Sequence, residues 1–177
     1  MADGERLQMR VANPPPALAQ GGELPPLRVT GGLFGVGYRV DAGSHWNSTG
    51  LQRDLQAAAL TLDQLHEASL ANLMKLVKGQ PGLRIDDSRP CAGLLLDGDH
   101  GSSLVLLDGV WDAVLKDRTP NGAVVAIPLR DVLMFCDAAA DGIAAMRAKR
   151  AELAGNPKLI SRERLRRRDG RWTILPA

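Results

Sequence analysis

The stretch from Gly122 to Asp137, "GAVVAIPLRDVLMFCD", constrains the fold more than any other part of the chain. Two runs rich in β-branched and apolar residues, Ala123–Ile127 and Val132–Cys136, are each of strand length and are joined by "PLRD", where Pro and Asp favour a tight turn. They read as a central β-hairpin.

Other segments extend this β-rich reading. "RLQMRV" alternates polar and apolar residues as a half-buried strand does, and "NPPPALAQGGELPP" then excludes both helix and central strand. Residues 1–26 are therefore expected to be a strand and a Pro-rich connector, and residues 27–177 a single α+β domain. "LRVTGGLFGVGYRVD" reads as two strands about Gly31 and Gly32, and "GLRID" and "CAGLLLDGDHG" as two more. Two helices stand out. In "TLDQLHEASLANLMKLVKG", Thr61 and Gln64 form a capping box and Gly79 a stop, while Leu62, Leu65, Leu70, Leu73, Met74, Leu76 and Val77 share a face. His66 falls near the middle of that face, which predicts a buried, hydrogen-bonded side chain. "AADGIAAMRAKRAELAG" is an Ala-rich helix ended by Gly155 and Pro157; Arg150 projects into its apolar stripe and is expected to snorkel near the helix end or to meet a buried carboxylate. Hairpin signals outnumber strand–helix–strand alternation, so the expected architecture is a mainly antiparallel sheet with the helices at 62–78 and 140–154 packed on one face.

Hydrophobic residues make up 45% of the chain, enough for a core without metal or disulfide support. The apolar runs are far below the roughly 20 residues that a membrane helix needs, and the first residues lack a secretory pattern, so a cytoplasmic location is expected. Cys91 and Cys136 have no zinc-site spacing and read as small core residues; neither a metal nor a cofactor is expected.

Two motif-like patterns carry weak chemistry. Gly32 to Gly37 begins like a phosphate-binding loop, but Tyr38 and Arg39 stand where Lys and a hydroxyl are required, and the sequel is strand-like rather than helical. Asp97, Asp99 and His100 crowd the "DGDHG" turn, yet Gly101 and Ser102 occupy positions where a calcium loop needs a ligand and a Gly. Turn chemistry explains that cluster, although a small hydrolase using Asp97, Asp99 and His100 beside Arg130 or Asp131 stays open, because catalytic groups converge from distant positions.

The order of pieces, "GVGYRVD", "SLANLMKL", "GDHGSSLVLLDGVWD", "VVAIPLRDVLMFCD" and "RRRDGRW", resembles the uncharacterised bacterial YtpQ-like family, domain of unknown function 1444, over roughly residues 33–173. The paired "VVAIP" and "RDVLMF" are its most specific part. The resemblance implies a compact bacterial α+β fold and brings no reaction with it. Family members often carry an aromatic and a Glu or Ala ahead of a small residue and Ser, where this chain has His100, Gly101 and Ser102.

Charge is distributed unevenly. From Arg147 onward, ten basic residues face three acidic ones, a balance of +7, while the remainder carries −5. Six arginines fall within "RERLRRRDGRW", where Asp169-Gly170 signals a two-residue hairpin. Alternation separates Arg164, Arg166 and Arg168 from Leu165 and Arg167, so the first three are expected to form an exposed ladder on an edge hairpin. Such a ladder can block sheet-to-sheet association or contact phosphates. With aromatics at only 3% of the chain, rings for stacking bases are scarce. The leading expectation is a non-enzymatic cytoplasmic interaction or regulatory protein with a protein partner and no membrane contact; the alternative is electrostatic nucleic-acid binding through Arg164, Arg166 and Arg168.

Overall fold

The computed structural model describes residues 6–12, 27–30, 34–41, 46–48, 56, 58–87, 90–96, 100–129, 131–157, 159, 161 and 163–175. The class is α+β and every strand pairing among these residues is antiparallel, as the hairpin signals require. The chain divides into two compact units, Met1–Lys78 and Gly79–Ala177, each with a sheet and a long helix.

In the first unit β1 (Arg6–Ala12) and β2 (Leu27–Thr30) flank β3 (Phe34–Asp41), and the short β4 (Trp46–Ser48) also pairs with β3. Helix α1 (Leu62–Lys78) packs on β1. Its capping box forms as expected: Gln64 N donates to Thr61 Oγ1 at 3.2 Å, and Thr61 N donates to Gln64 Oε1 at 2.9 Å. Thr61→Ala should therefore lower stability by about 1 kcal/mol in a urea melt, while Thr61→Ser should stay near wild type. The buried line of α1 is Leu65, Ser69 and Leu73, at four-residue spacing, and Ser69 survives there because its Oγ donates to Leu65 O at 2.8 Å. His66 lies beside this line. It is half-buried rather than fully buried, and its Nδ1 is 3.0 Å from Tyr38 Oη, with the two rings edge to face.

The second unit holds a six-stranded sheet in the order β10-β9-β7-β8-β6-β5. Its strands are β5 (Arg84–Asp86), β6 (Cys91–Leu95), β7 (Ala123–Ala126), β8 (Leu133–Asp137), β9 (Arg164–Arg168) and β10 (Arg171–Leu175). The expected hairpin is the sheet's centre: Val124 pairs with Cys136 and Val125 with Phe135, and all four are buried. Alternation then supplies two apolar faces. On one, helix α2 (Ala140–Leu153) covers Cys91, Val124, Ala126, Met134 and Cys136 with Met146. On the other lies the segment between β6 and β7. It forms 3₁₀ turns at Gly101–Leu106 and Lys116–Arg118 around one π turn at Val110–Val114, where Leu115 N donates to Val110 O at 2.9 Å.

Trp111 anchors that segment, its ring edge to face with Phe135 and Trp172 and its Nε1 donating to Leu104 O at 2.9 Å. Cys91 and Cys136 stand directly opposite each other in β6 and β8, both buried, as the core reading expected. A hydrogen bond to the Cys91 sulfur, followed by burial, pushes the Cys136 thiol far above its ordinary value, so it stays protonated.

Candidate functional site at the C-terminal hairpin

Asp169 and Gly170 have φ of 51° and 73°, the left-handed pair that a two-residue hairpin requires, and Arg168 pairs with Arg171 across the turn. The turn sets the register of β9 and β10 and thereby sends Leu165, Arg167, Trp172 and Ile174 to the Trp111 face. Arg164, Arg166 and Leu175 go to the α2 face, where Arg164 stands opposite Ala126 and Arg166 opposite Val124.

Arg167 is anchored by a ring and by two carboxylates. Its side chain is 5% exposed, with the guanidinium carbon 5.4 Å from the Trp172 ring centroid. Nε and Nη2 donate to Asp112 Oδ1 and Oδ2 at 3.1 and 2.7 Å, the forked pairing suited to a carboxylate. Nη1 lies 2.9 Å from Asp108 Oδ1, an ion-pair contact outside hydrogen-bonding alignment. Both aspartates belong to the Trp111 segment, 55 or more positions upstream, and no local pattern in the sequence marks them as partners.

The expected ladder of exposed arginines does not form. β9 is not an edge strand but lies between β10 and β7, and both faces of the sheet are covered, so its side chains meet packed structure on either side. Arg164 is 2% exposed, Arg166 is half-buried with a fully buried Nε, and of the three only Arg168 is exposed, 3.8 Å from Asp169. The edge is β10, whose sequence "RWTIL" carries a single charge.

An open groove of about 930 Å³ lies beside the hairpin turn, lined in part by Asp112, Lys116, Asn121, Arg166, Arg167 and Arg168. Asn121 is held by Asp137, whose Oδ1 accepts from the Asn121 backbone N–H at 2.9 Å and whose Oδ2 accepts from Nδ2 at 2.7 Å. Thr119 Oγ1 donates to Leu115 O at 3.0 Å. Within the lining, Arg167, Asp112 and Asn121 are thus engaged in the ion pairs and hydrogen bonds that hold the neighbouring loops and strands together.

Of the hydrolase candidates, His100 is buried at the start of the first 3₁₀ turn and Asp131 is exposed; Asp97, Asp99 and Arg130 lie outside the described residues. Ser102 and Ser103 are fully buried, and a Cβ on Gly101 would sit 2.5 Å from Asp131 O, so the backbone of the turn is packed directly on the chain at Asp131. Among the described residues no three His, Cys, Asp or Glu side chains are grouped to hold a metal ion, and no helix is long and apolar enough to cross a membrane. Arg150, in the last turn of α2, is half-buried and lines a small cavity together with Arg147, a placement compatible with the expected snorkelling near the helix end. No protein-family model, curated protein or solved structure matches the chain.

Proposed function

We propose that this chain is a non-enzymatic interaction protein of the bacterial cytoplasm that docks by strand addition at β10, and that the docked strand is β10 of a second copy. The observation that carries this reading is the composition of the true edge. Natural sheet edges are usually blunted by charge, Pro or bulges. Here the arginines lie one strand inboard, leaving Ile174 48% exposed on an end strand of regular pairing.

β10 is also compatible with itself. An antiparallel two-fold pairing centred on Thr173 sets Trp172 against Ile174 of the second copy and Arg171 against its Leu175, so no like charges face each other. The continuous sheet buries Ile174 and satisfies the outer main-chain groups of both edges. The resemblance to the YtpQ-like family agrees with a compact bacterial domain and adds no reaction.

Light scattering coupled to size exclusion tests the proposal. The wild type should run as a dimer at about 100 μM, and Ile174→Lys should weaken association at least about tenfold while keeping the wild-type circular dichroism spectrum, because the side chain is 48% exposed in the single chain. A wild type that is monomeric at that concentration, or an Ile174→Lys dimer of unchanged affinity, would overturn it.

A further inference from the structure

The small cavity on the α2 side of the second unit stands apart from the hairpin groove and from the β10 edge. It has a volume of about 300 Å³, and Arg147 and Arg150, one helical turn apart on α2, supply its cationic wall. Pro128, Ala154 and Leu159 form an apolar wall, and Ser161 adds a hydroxyl. Ser161 Oγ accepts from Glu163 N at 3.1 Å, which leaves its proton to be donated. Arg164 opens β9 on the sheet face that α2 covers, 2% exposed and outside the cavity lining. Burial, then the like charges of Arg147 and Arg150, lower its pKa from the ordinary value, and Glu163 is the carboxylate that opposes them.

We infer that this cavity binds a small phosphate monoester, with the dianionic head on Arg147 and Arg150 and the organic body against Pro128, Ala154 and Leu159. The lining brings two guanidiniums and, among the described residues, no carboxylate, which matches a phosphate monoester, dianionic at neutral pH, better than a carboxylate of single charge. Guanidinium is also the side-chain group best shaped for two-point contact with such an oxyanion. The modest volume, apolar on one side and ionic on the other, has the makeup of a small-molecule pocket and is at the low end of the usual size.

Isothermal titration of the full chain with n-butyl phosphate and with inorganic phosphate at low ionic strength tests the site. Saturable one-to-one binding is expected, tighter for the butyl ester because inorganic phosphate leaves the apolar wall untouched, and weakening below about pH 6 as the head loses its second charge. Arg147→Gln with Arg150→Gln should reduce affinity at least about tenfold without moving the melting temperature, whereas Lys116→Gln, in the hairpin groove, should leave it unchanged. Four results would overturn the inference: no saturable binding up to about 10 mM, undiminished binding in the double variant, equal weakening by Lys116→Gln, or pentanoate binding as tightly as the phosphate ester. The readout is independent of dimer formation, so either proposal can fail alone.

Discussion

Replacing both Asp108 and Asp112 with Ala should destabilise the second unit more than removing the arginine that they hold. The two losses differ in what remains. Without the carboxylates the Arg167 guanidinium, 5% exposed and wedged against Trp172, keeps its charge in a site that water reaches poorly. Stranding a buried ion in this way costs about 3–5 kcal/mol. Arg167→Met instead keeps an unbranched stem against the tryptophans and leaves two carboxylates that are 75% and 56% exposed and rehydrate readily. Only the charge-assisted bonds and some packing are lost, about 1–2 kcal/mol. Urea denaturation followed by near-ultraviolet circular dichroism, which reports the Trp111–Trp172 contact, should show this order. A double aspartate variant as stable as Arg167→Met would mean that the buried charge depends little on its partners.

That ion-pair cluster also marks where sequence reasoning stops. Where the cause is local and the residues are described, the local signal names the right element. Asp169-Gly170 fixed a hairpin turn through left-handed φ values, Thr61 and Gln64 fixed a helix start through two reciprocal hydrogen bonds, and the apolar runs on either side of "PLRD" became the sheet's central strands. Period-two alternation even sorted Arg164 and Arg166 from Leu165 and Arg167 correctly. What alternation cannot say is what covers each face. A run of arginines implies solvent only if solvent is there, and β9 has α2 on one side and the Trp111 segment on the other. The partners that make Arg167 tolerable inside, Asp108 and Asp112, sit in a stretch of 3₁₀ and π turns whose sequence, "SSLVLLDGVWDAVLKD", suits a helix or a strand equally, so that periodicity alone does not arbitrate. Likewise the cavity beside Arg147 and Arg150 arises from tertiary convergence of α2 with the chain at Pro128, Leu159 and Ser161. For Asp97, Asp99 and Arg130, outside the described residues, the hydrolase alternative keeps the footing that the sequence gives it.

Gly122→Ala should be among the most damaging single methyl additions to the chain, and it acts on the same hairpin from behind. Gly122 has φ of +98°, beyond the left-handed region that non-glycine residues occasionally visit, and its N–H donates to Thr119 O at 2.9 Å while its carbonyl accepts from Ala138 N at 2.8 Å. Both bonds tie the residue to its conformation, so the backbone cannot relax into a strand-like φ without losing them. The new Cβ would also stand 2.6 Å from Arg167 O. That oxygen belongs to main chain, in the register where Ala123 of β7 faces Arg167 of β9, so relief requires the two strands to part just where the Arg167 side chain is docked. The φ strain alone costs about 1–3 kcal/mol, and the small gain from a less flexible unfolded chain, about 0.4–1 kcal/mol, cannot offset it. Adding the displaced pairing, a loss of about 3 kcal/mol or more is expected in urea denaturation. Gly155→Ala is the matched control: a Cβ there meets nothing within 4 Å, and stability should hold or rise slightly. If Gly122→Ala instead falls within about 1 kcal/mol of wild type, then β7 and β9 part easily at this point, and the close β7–β9 contact is not what holds Arg167 in place.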